Sequence, residues 1–199
     1  MQPSDRDDVR DLLKRTAVAL KQAGVPFALC GGYAAWARGA PEPEHDADFL
    51  VPEPEAERAA KALADAGLEV LDPAEDWLLK VVLGQGGSGA FVDVLWRTCG
   101  VPVEADLIER ADVLPVLSVQ MPVLSATDIV VTKLMALDEH YCDFSRMLPV
   151  ARALREQVDW DRVRREAAGN DFAVVFLVLL DRLGIVAAPA AGQGRGAGD

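Results

Sequence analysis

Residues 29–51 read LCGGYAAWARGAPEPEHDADFLV. The pattern predicts a short apolar strand, a turn at Gly31 and Gly32, a short helix, a proline-containing loop and a strand that begins with Asp46 and Asp48. Glycines at the turn let a ligand approach the backbone, and the free N–H groups of the following helix suit a phosphate. Two carboxylates spaced two residues apart leave the same strand face, where they suit a Mg²⁺ ion bound to substrate phosphates. A tight turn followed by a solvated strand end is the structural alternative.

These residues resemble the nucleotidyltransferase superfamily, which includes DNA polymerase β. That family has a Gly-Gly or Gly-Ser turn before a helix, an Asp-x-Asp motif on a strand and a third acid on a neighbouring strand. Gly31, Gly32, Asp46, Asp48 and Asp93 match this pattern. The sequence from Gly31 to Val51 most resembles the toxin-type branch of this superfamily, which comprises the AbiEii-like and MenT-like proteins and their uncharacterised relatives.

One departure from the toxin-type pattern lies just before the acids. Those relatives carry Arg and then Ser or Thr there, whereas this chain has Glu42 and Glu44. Ionised glutamate cannot donate a hydrogen bond to phosphate, and each residue is expected to add negative charge near the site. The departure leaves open a degenerate, non-catalytic member of the fold that binds a nucleotide or a protein.

Asp93 lies in the second strand of a predicted hairpin. Residues 76–83 and 90–96 are extended runs, and the connector GQGGSG between them spells the dinucleotide fingerprint Gly-x-Gly-x-x-Gly. Because a strand follows it and not a helix, a hairpin loop is the better interpretation. An unpaired acid inside an apolar strand is costly to bury. Asp93 is therefore either paired, exposed at an edge, or a third metal-facing carboxylate, and the two upstream acids favour the last.

Residues 125–140 are predicted to form a helix that opens with a capping box between Ser125 and Asp128. Lys133 lies beside the apolar stripe of this helix, where a lysine usually extends along the surface to water. A helix of this form in the toxin-type relatives supplies a lysine to the active site. The resemblance thus implies that Lys133 contacts phosphate.

Composition limits the partners and the compartment. The chain has 199 residues and a net charge of −12, which argues against non-specific binding to nucleic acid or to an anionic membrane. Three widely spaced cysteines indicate free buried thiols in a reducing cytoplasm. The N-terminus lacks the apolar core of a signal peptide, and the longest apolar run, residues 172–180, is too short to span a bilayer.

The fold class expected is α/β or α+β: a small mixed sheet with the acidic site at one edge, flanked by helices and followed by a helical subdomain. The predicted domains are a sheet domain over residues 1–124, a helical C-terminal subdomain over residues 125–186 and a disordered tail over residues 187–199. The remaining predicted helices cover residues 5–23, 54–66, 102–111, 147–157, 159–168 and 171–183. The remaining predicted strands cover residues 26–30, 68–71 and 113–119.

The resemblance implies a Mg²⁺-dependent enzyme, with Mn²⁺ as an alternative ion, that moves an NMP from an NTP to an acceptor hydroxyl. The acceptor class stays open between tRNA, protein and a small molecule. A toxin of this type would also have an antitoxin partner, and the apolar last helix is a candidate contact. The residues implied are Asp46, Asp48 and Asp93 for catalysis and metal binding, and Gly31, Gly32 and Lys133 for nucleotide binding.

Overall fold

The computed structural model describes residues 3–43, 46–71, 73, 75–83 and 89–186, and within them nine strands and eight α-helices. The strands are β1 Ala28–Cys30, β2 Ala47–Leu50, β3 Glu69–Leu71, β4 Leu78–Val82, β5 Phe91–Leu95, β6 Arg97–Thr98, β7 Val101–Pro102, β8 Asp112–Val116 and β9 Val119–Val123. The helices are α1 Pro3–Gln22, α2 Gly31–Ala37, α3 Ala56–Asp65, α4 Ala105–Glu109, α5 Ala126–Met135, α6 Phe144–Leu154, α7 Trp160–Glu166 and α8 Asp171–Arg182. A 3₁₀ turn, Glu53–Glu55, precedes α3.

Seven strands form one mixed sheet in the order β3-β4-β5-β2-β1-β9-β8. The pairs β2–β5 and β1–β9 are parallel, and the other four pairs are antiparallel. The strands β6 and β7 form a separate small hairpin. With helices packed around this sheet, the expected fold class is confirmed.

Strand β5 has one closed face and one partly open face, because side chains alternate along a strand. On β5, Val92 and Val94 are fully buried, whereas Phe91, Asp93 and Leu95 are only partly buried. Helix α1 packs against β4, β5 and β9. The partly open face is the one that carries the acids.

Three sequence expectations near the acids need correction. Helix α2 begins at Gly31, so it includes both glycines that were predicted to form a turn before it, and Asp46 lies just before β2 and not on it. Asp48 on β2 and Asp93 on β5 lie in the middle of the sheet and not at one edge. The hairpin of β4 and β5 is present as predicted, although residues 84–88 of its loop lie outside the described part.

The segment predicted as one strand over residues 113–119 is two strands. Leu117 and Ser118 have left-handed backbone angles, with φ of 49° and 68°, and they turn the chain between β8 and β9. Strand β8, which contains Pro115, is at the sheet edge as a ladder proline requires. Strand β9 was not predicted, and it lies inside the sheet beside β1.

The last helix, α8, is apolar all round in sequence, which predicts either a buried helix or one that contacts a partner. Phe176 and Leu180 are buried, whereas Val175 and Val178 are more than half exposed, so only the first alternative is wrong. No helix in the described part of the chain is long and apolar enough to cross a membrane. The predicted tail, residues 187–199, lies outside the described residues. Of the three free cysteines, only Cys30 is buried, which corrects the expectation for the other two.

Candidate active site

A row of four side chains crosses four neighbouring strands on the partly open face. Lys80 on β4 is opposite Asp93 on β5, Asp93 is opposite Asp48 on β2, and Asp48 is opposite Cys30 at the end of β1. Directly opposed residues of paired strands project from the same face, with Cβ atoms close together. The sheet register therefore brings an ammonium, two carboxylates and a thiol into one line.

Asp46 completes a carboxylate cluster with this row. One oxygen from each of Asp46, Asp48 and Asp93 lies within 4.8 Å of the others, and all three residues are partly buried. The structure thus brings together the three acids that the sequence singled out. Carboxylate oxygens are the ligands that Mg²⁺ prefers, and a shared site for them suits a divalent cation.

The electrostatics of the cluster also fit a cation. The pKa of Asp48 is raised from 3.8 to about 7, first by burial and then by the charges of Asp46 and Asp93, while Lys133 and Lys80 oppose the shift. Burial likewise raises the pKa of Asp93, and its hydrogen bond from Lys80 lowers it. Since a bound cation favours the charged form of each carboxylate, the cluster is poised to exchange protons for a divalent ion.

The thiol of Cys30 carries no charge in this site. Burial, followed by the nearby charge of Asp48, raises the pKa of its thiol well above the ordinary range. The thiol therefore stays protonated at neutral pH and contributes an apolar, polarisable wall beside Asp48.

Lys80 is the site residue that sequence analysis missed. Its Nζ donates to Asp93 Oδ1 at 2.8 Å and lies 4.2 Å from the ring centre of Phe91. Each strand of the predicted hairpin carries one charged residue in an apolar run, Lys80 in LLKVV and Asp93 in FVDVL. Opposite lone charges on paired strands indicate a cross-strand ion pair, and this signal could have found the contact.

The two glycines have partners within the chain. Gly31 has a φ of +63°, and a Cβ there would lie 1.9 Å from Asp48 Oδ2, so only glycine fits. A Cβ on Gly32 would lie 2.8 Å from Cβ of Pro43. The missing side chain of Gly31 thus leaves room for the carboxylate of Asp48, and that of Gly32 leaves room for Pro43 in the loop before the acids. Whether phosphate also approaches this backbone stays a prediction.

Lys133 projects from α5 near the cluster. Its positive charge lowers the pKa values of Asp48 and Cys30, which places the ammonium on the site side of the helix. Among the described residues, no hydrogen bond or ion pair of this ammonium is found, so its donors remain for a ligand. One half of the predicted capping box is present, because Ser125 Oγ accepts from the backbone N–H of Asp128. The Asp128 carboxylate accepts from the Ser125 hydroxyl and from two arginines.

Glu42 does not carry free negative charge beside the site, which corrects the sequence expectation. Nε and Nη2 of Arg10, on α1, donate to the two carboxylate oxygens of Glu42 at 2.7 Å each, and Arg6 lies 4.0 Å away. The Glu42 side chain is only 14% exposed. The toxin-type pattern has an arginine within this loop; here an arginine of α1 lies next to the loop instead. Glu44 lies outside the described residues.

Replacing Arg10 by alanine is expected to lower the free energy of unfolding by about 1–3 kcal/mol, because Glu42 is left as a largely buried charge with a lost bidentate partner. Lys14→Ala on the same helix is the control, since its pair with Asp11 is exposed and longer, at 3.5 Å; its effect should stay within about 0.5 kcal/mol. Urea denaturation measures both. Equal effects of the two substitutions would contradict the assignment of Arg10 as the anchor of this loop.

No protein-family model matches the sequence, and a search of curated proteins gives no significant match. Solved structures do match. A solution structure of the antibiotic-resistance factor ANT(2'')-Ia is 15% identical and has a TM-score of 0.59, over 90% of this chain and 98% of that one. The fold is nucleotidyltransferase-like. The lincosamide antibiotic adenylyltransferase LnuA, with lincomycin bound, is 10% identical with a TM-score of 0.50, over 74% of this chain and 97% of that one.

A second structure of ANT(2'')-Ia, in complex with adenylyl-2''-tobramycin, is 14% identical and has a TM-score of 0.56, over 84% of this chain and 98% of that one. The nucleotidyltransferase-like fold therefore spans nearly the whole length of these proteins. At such low identities the likeness shows the fold. The chemistry of this chain has to be argued from its own site.

Proposed function

We propose that this chain is a divalent-metal-dependent nucleotidyltransferase, which moves an NMP from an NTP to an acceptor hydroxyl. The observation that carries the proposal is the convergence of Asp46, Asp48 and Asp93 within 4.8 Å on one face of a nucleotidyltransferase-like sheet. A complete acidic cluster, with a lysine free to bind phosphate, favours an active enzyme over a degenerate binding module.

Each residue has a role in the proposed reaction. Asp46 and Asp48 would hold Mg²⁺, or Mn²⁺, together with Asp93; the bound ion would neutralise the triphosphate and polarise the α-phosphate. The acceptor oxygen forms a bond to the α-phosphorus, the bond between the α-phosphorus and its bridging oxygen breaks, and pyrophosphate leaves. Asp93 would also help to take the proton from the acceptor hydroxyl.

Phosphate binding is assigned to the first turn of α2 and to Lys133. Gly31 and Gly32 form the first turn of α2, whose N–H groups have no partner within the helix. Lys133 would add a positive charge to the triphosphate. Because ammonium and phosphate make charge-assisted hydrogen bonds, this contact should be worth more than a neutral one.

Lys133→Ala is expected to weaken binding of a non-hydrolysable NTP analogue by about 1.5–3 kcal/mol, the scale of a hydrogen bond to a charged group. The free energy of unfolding should change little, since the ammonium has no partner among the described residues. Lys61→Ala on α3 is the control, because Lys61 is 74% exposed and its one ion pair among the described residues is with Asp65. Calorimetric titration measures the affinities. Normal nucleotide affinity with reduced stability would instead assign Lys133 a surface-packing role.

For the acceptor, the charge of the chain favours a small molecule over RNA. A net charge of −12 repels a polyanion, attracts a cationic hydroxyl compound and does not repel a neutral one. The solved neighbours include an aminoglycoside adduct and a lincosamide complex, which agrees with this preference. A protein or tRNA acceptor, a cytoplasmic toxin and an antitoxin bound to the exposed valines of α8 are predictions that rest on the toxin-type resemblance.

Labelled nucleotides test the proposed reaction. The protein is incubated with Mg²⁺ and each NTP, labelled on either the α- or the γ-phosphate, and with aminoglycosides, lincosamides, tRNA and a cell extract as acceptors. We expect transfer of the α-label, release of the γ-label in pyrophosphate, and neither in an Asp46→Asn, Asp48→Asn double variant. Transfer of the γ-label would indicate a kinase, and equal labelling by the double variant would refute the site.

A further inference from the structure

Lys80 is the one basic side chain in direct contact with a cluster carboxylate among the described residues. Its Nζ lies 2.8 Å from Asp93 Oδ1, and the side chains are 34% and 13% exposed, respectively. The face of Phe91 lies under the ammonium at 4.2 Å, which adds a cation–π contact. The cross-strand register and the aromatic ring together hold the positive charge in place.

The ammonium of Lys80 occupies a carboxylate oxygen that a second cation could otherwise use. In two-metal sites the ions lie about 3.5–4 Å apart and share carboxylate ligands. Asp93 shares the cluster with Asp46 and Asp48, but one of its oxygens is already occupied by Lys80. A metal ion bound through Asp93 on that side would have to displace an ammonium that the sheet and the ring both hold.

The balance of charge points the same way. Three carboxylates carry three negative charges, and Lys80 supplies one positive charge, so a single divalent ion balances the two that remain. Without bound nucleotide, a second divalent ion would leave a positive excess next to a fixed ammonium. Lys133, which forms no ion pair with the cluster among the described residues, remains for the triphosphate.

We infer that Lys80 is a built-in counter-cation that takes the place of a second metal ion, so that the catalytic cluster binds one divalent ion and not two. This inference rests on the proposed function, because it assumes that the three acids form a metal site. A purely structural cross-strand pair would stabilise the hairpin without affecting how many ions are bound.

Metal stoichiometry distinguishes these roles. Equilibrium dialysis with MnCl₂ counts the ions per chain, both alone and with an α,β-methylene NTP analogue, and electron paramagnetic resonance reports the free ion. We expect at most one Mn²⁺ per wild-type chain in both conditions. Lys80→Gln should bind two with the analogue, and Lys80→Arg should keep one because the positive charge remains. The control Lys61→Gln, in an exposed helical pair, should match the wild type.

The outcomes separate this inference from the proposed function. Two Mn²⁺ in the wild type, both lost in the Asp46→Asn, Asp48→Asn variant, would overturn the role of Lys80 and leave the metal site intact. No Mn²⁺ in the wild type would overturn both. A single ion of unchanged affinity in Lys80→Gln would assign Lys80 to the hairpin alone. Should circular dichroism show that Lys80→Gln is unfolded, Lys80→Met, which keeps the apolar stem over Phe91, replaces it in the same comparison.

Discussion

Replacing Asp48 by asparagine is expected to abolish nucleotidyl transfer and, at the same time, to stabilise the metal-free protein. Loss of a metal ligand removes several kcal/mol of transition-state stabilisation, which corresponds to a rate lower by about 10³-fold or more. The folded chain meanwhile no longer holds a carboxylate against the charges of Asp46 and Asp93. Few substitutions at ordinary buried positions raise stability and remove activity together.

The stability gain should depend on pH in a defined direction. The pKa of Asp48 is about 7 in the folded chain and 3.8 ordinarily, so between these values the folded chain holds more protons than the unfolded one. Wild-type stability therefore falls as the pH rises from about 4 to about 7, and levels off above. The stability of the Asp48→Asn variant does not fall in this way. Its free energy of unfolding should exceed that of the wild type by on the order of 2 kcal/mol after solvent screening, and the difference should be largest above about pH 7.

Thermal denaturation in EDTA at several pH values measures this gain, and the label-transfer assay measures the activity. Asp65→Asn is the matched control, because Asp65 is 66% exposed and lies on α3. It should change neither quantity appreciably. An Asp48→Asn protein that is less stable than the wild type at pH 8 would show that neither burial nor the charges of Asp46 and Asp93 destabilise the Asp48 carboxylate.

Asp128→Ala is expected to cost about 3 kcal/mol of unfolding free energy. The Asp128 side chain is only 3% exposed, and its Oδ1 accepts from Nη2 of Arg110 at 3.0 Å and from Nη2 of Arg162 at 2.7 Å. Ser125 Oγ donates to Oδ2 at 2.6 Å. This carboxylate joins α5 to α7 and to the residue that follows α4, and breaking such a buried pair leaves two arginines without their shared partner.

The pKa of Asp128 supports this role. Burial alone would raise it, but the hydrogen bonds from Arg110 and Ser125 and the charges of both arginines bring it below its ordinary value. Its stabilising effect is therefore present above the unfolded carboxyl pKa of about 3.9 and is lost as the pH falls through the lower, folded value. The difference between wild type and Asp128→Ala should shrink accordingly in acid.

Asp106→Ala provides the control for this substitution. Asp106 pairs with the same Arg110 at 2.8 Å, but its side chain is 72% exposed. Exposed pairs contribute about 0–1 kcal/mol. Chemical denaturation at pH 7 compares the two variants, and equal losses would mean that Asp128 does not join the helices.

The sequence was sufficient for the parts of the site that depend on local patterns. The strand, the glycines and the short helix near Gly31 follow from local backbone preferences, and the two acids upstream favoured Asp93 as a third carboxylate of the site. The strand order of the sheet was not predicted, because it depends on contacts between distant segments. Thus β9 was not predicted as a separate strand, and the strand predicted over residues 113–119 combined most of β8 with the turn that follows it.

The contacts that sequence reasoning missed are long-range pairs. Arg10 and Glu42 are 32 residues apart, and the direction in which the loop of Glu42 faces α1 is set by packing and not by local pattern. The contact of Lys80 could have been predicted, since the register of a hairpin indicates which residues are opposed. Its partner Asp93 was instead interpreted through the two upstream acids and the resemblance, neither of which carries information about Lys80.

The pH dependence of Mn²⁺ affinity tests the carboxylate cluster most directly. Because binding requires ionised Asp48, whose pKa is about 7, the apparent affinity should rise about tenfold or more between pH 6 and pH 8 and flatten beyond. In Asp48→Asn, calorimetric titration should show much weaker binding without this rise. An affinity that is the same at pH 6 and pH 8, or that survives unchanged in Asp48→Asn, would contradict a metal site at Asp46, Asp48 and Asp93.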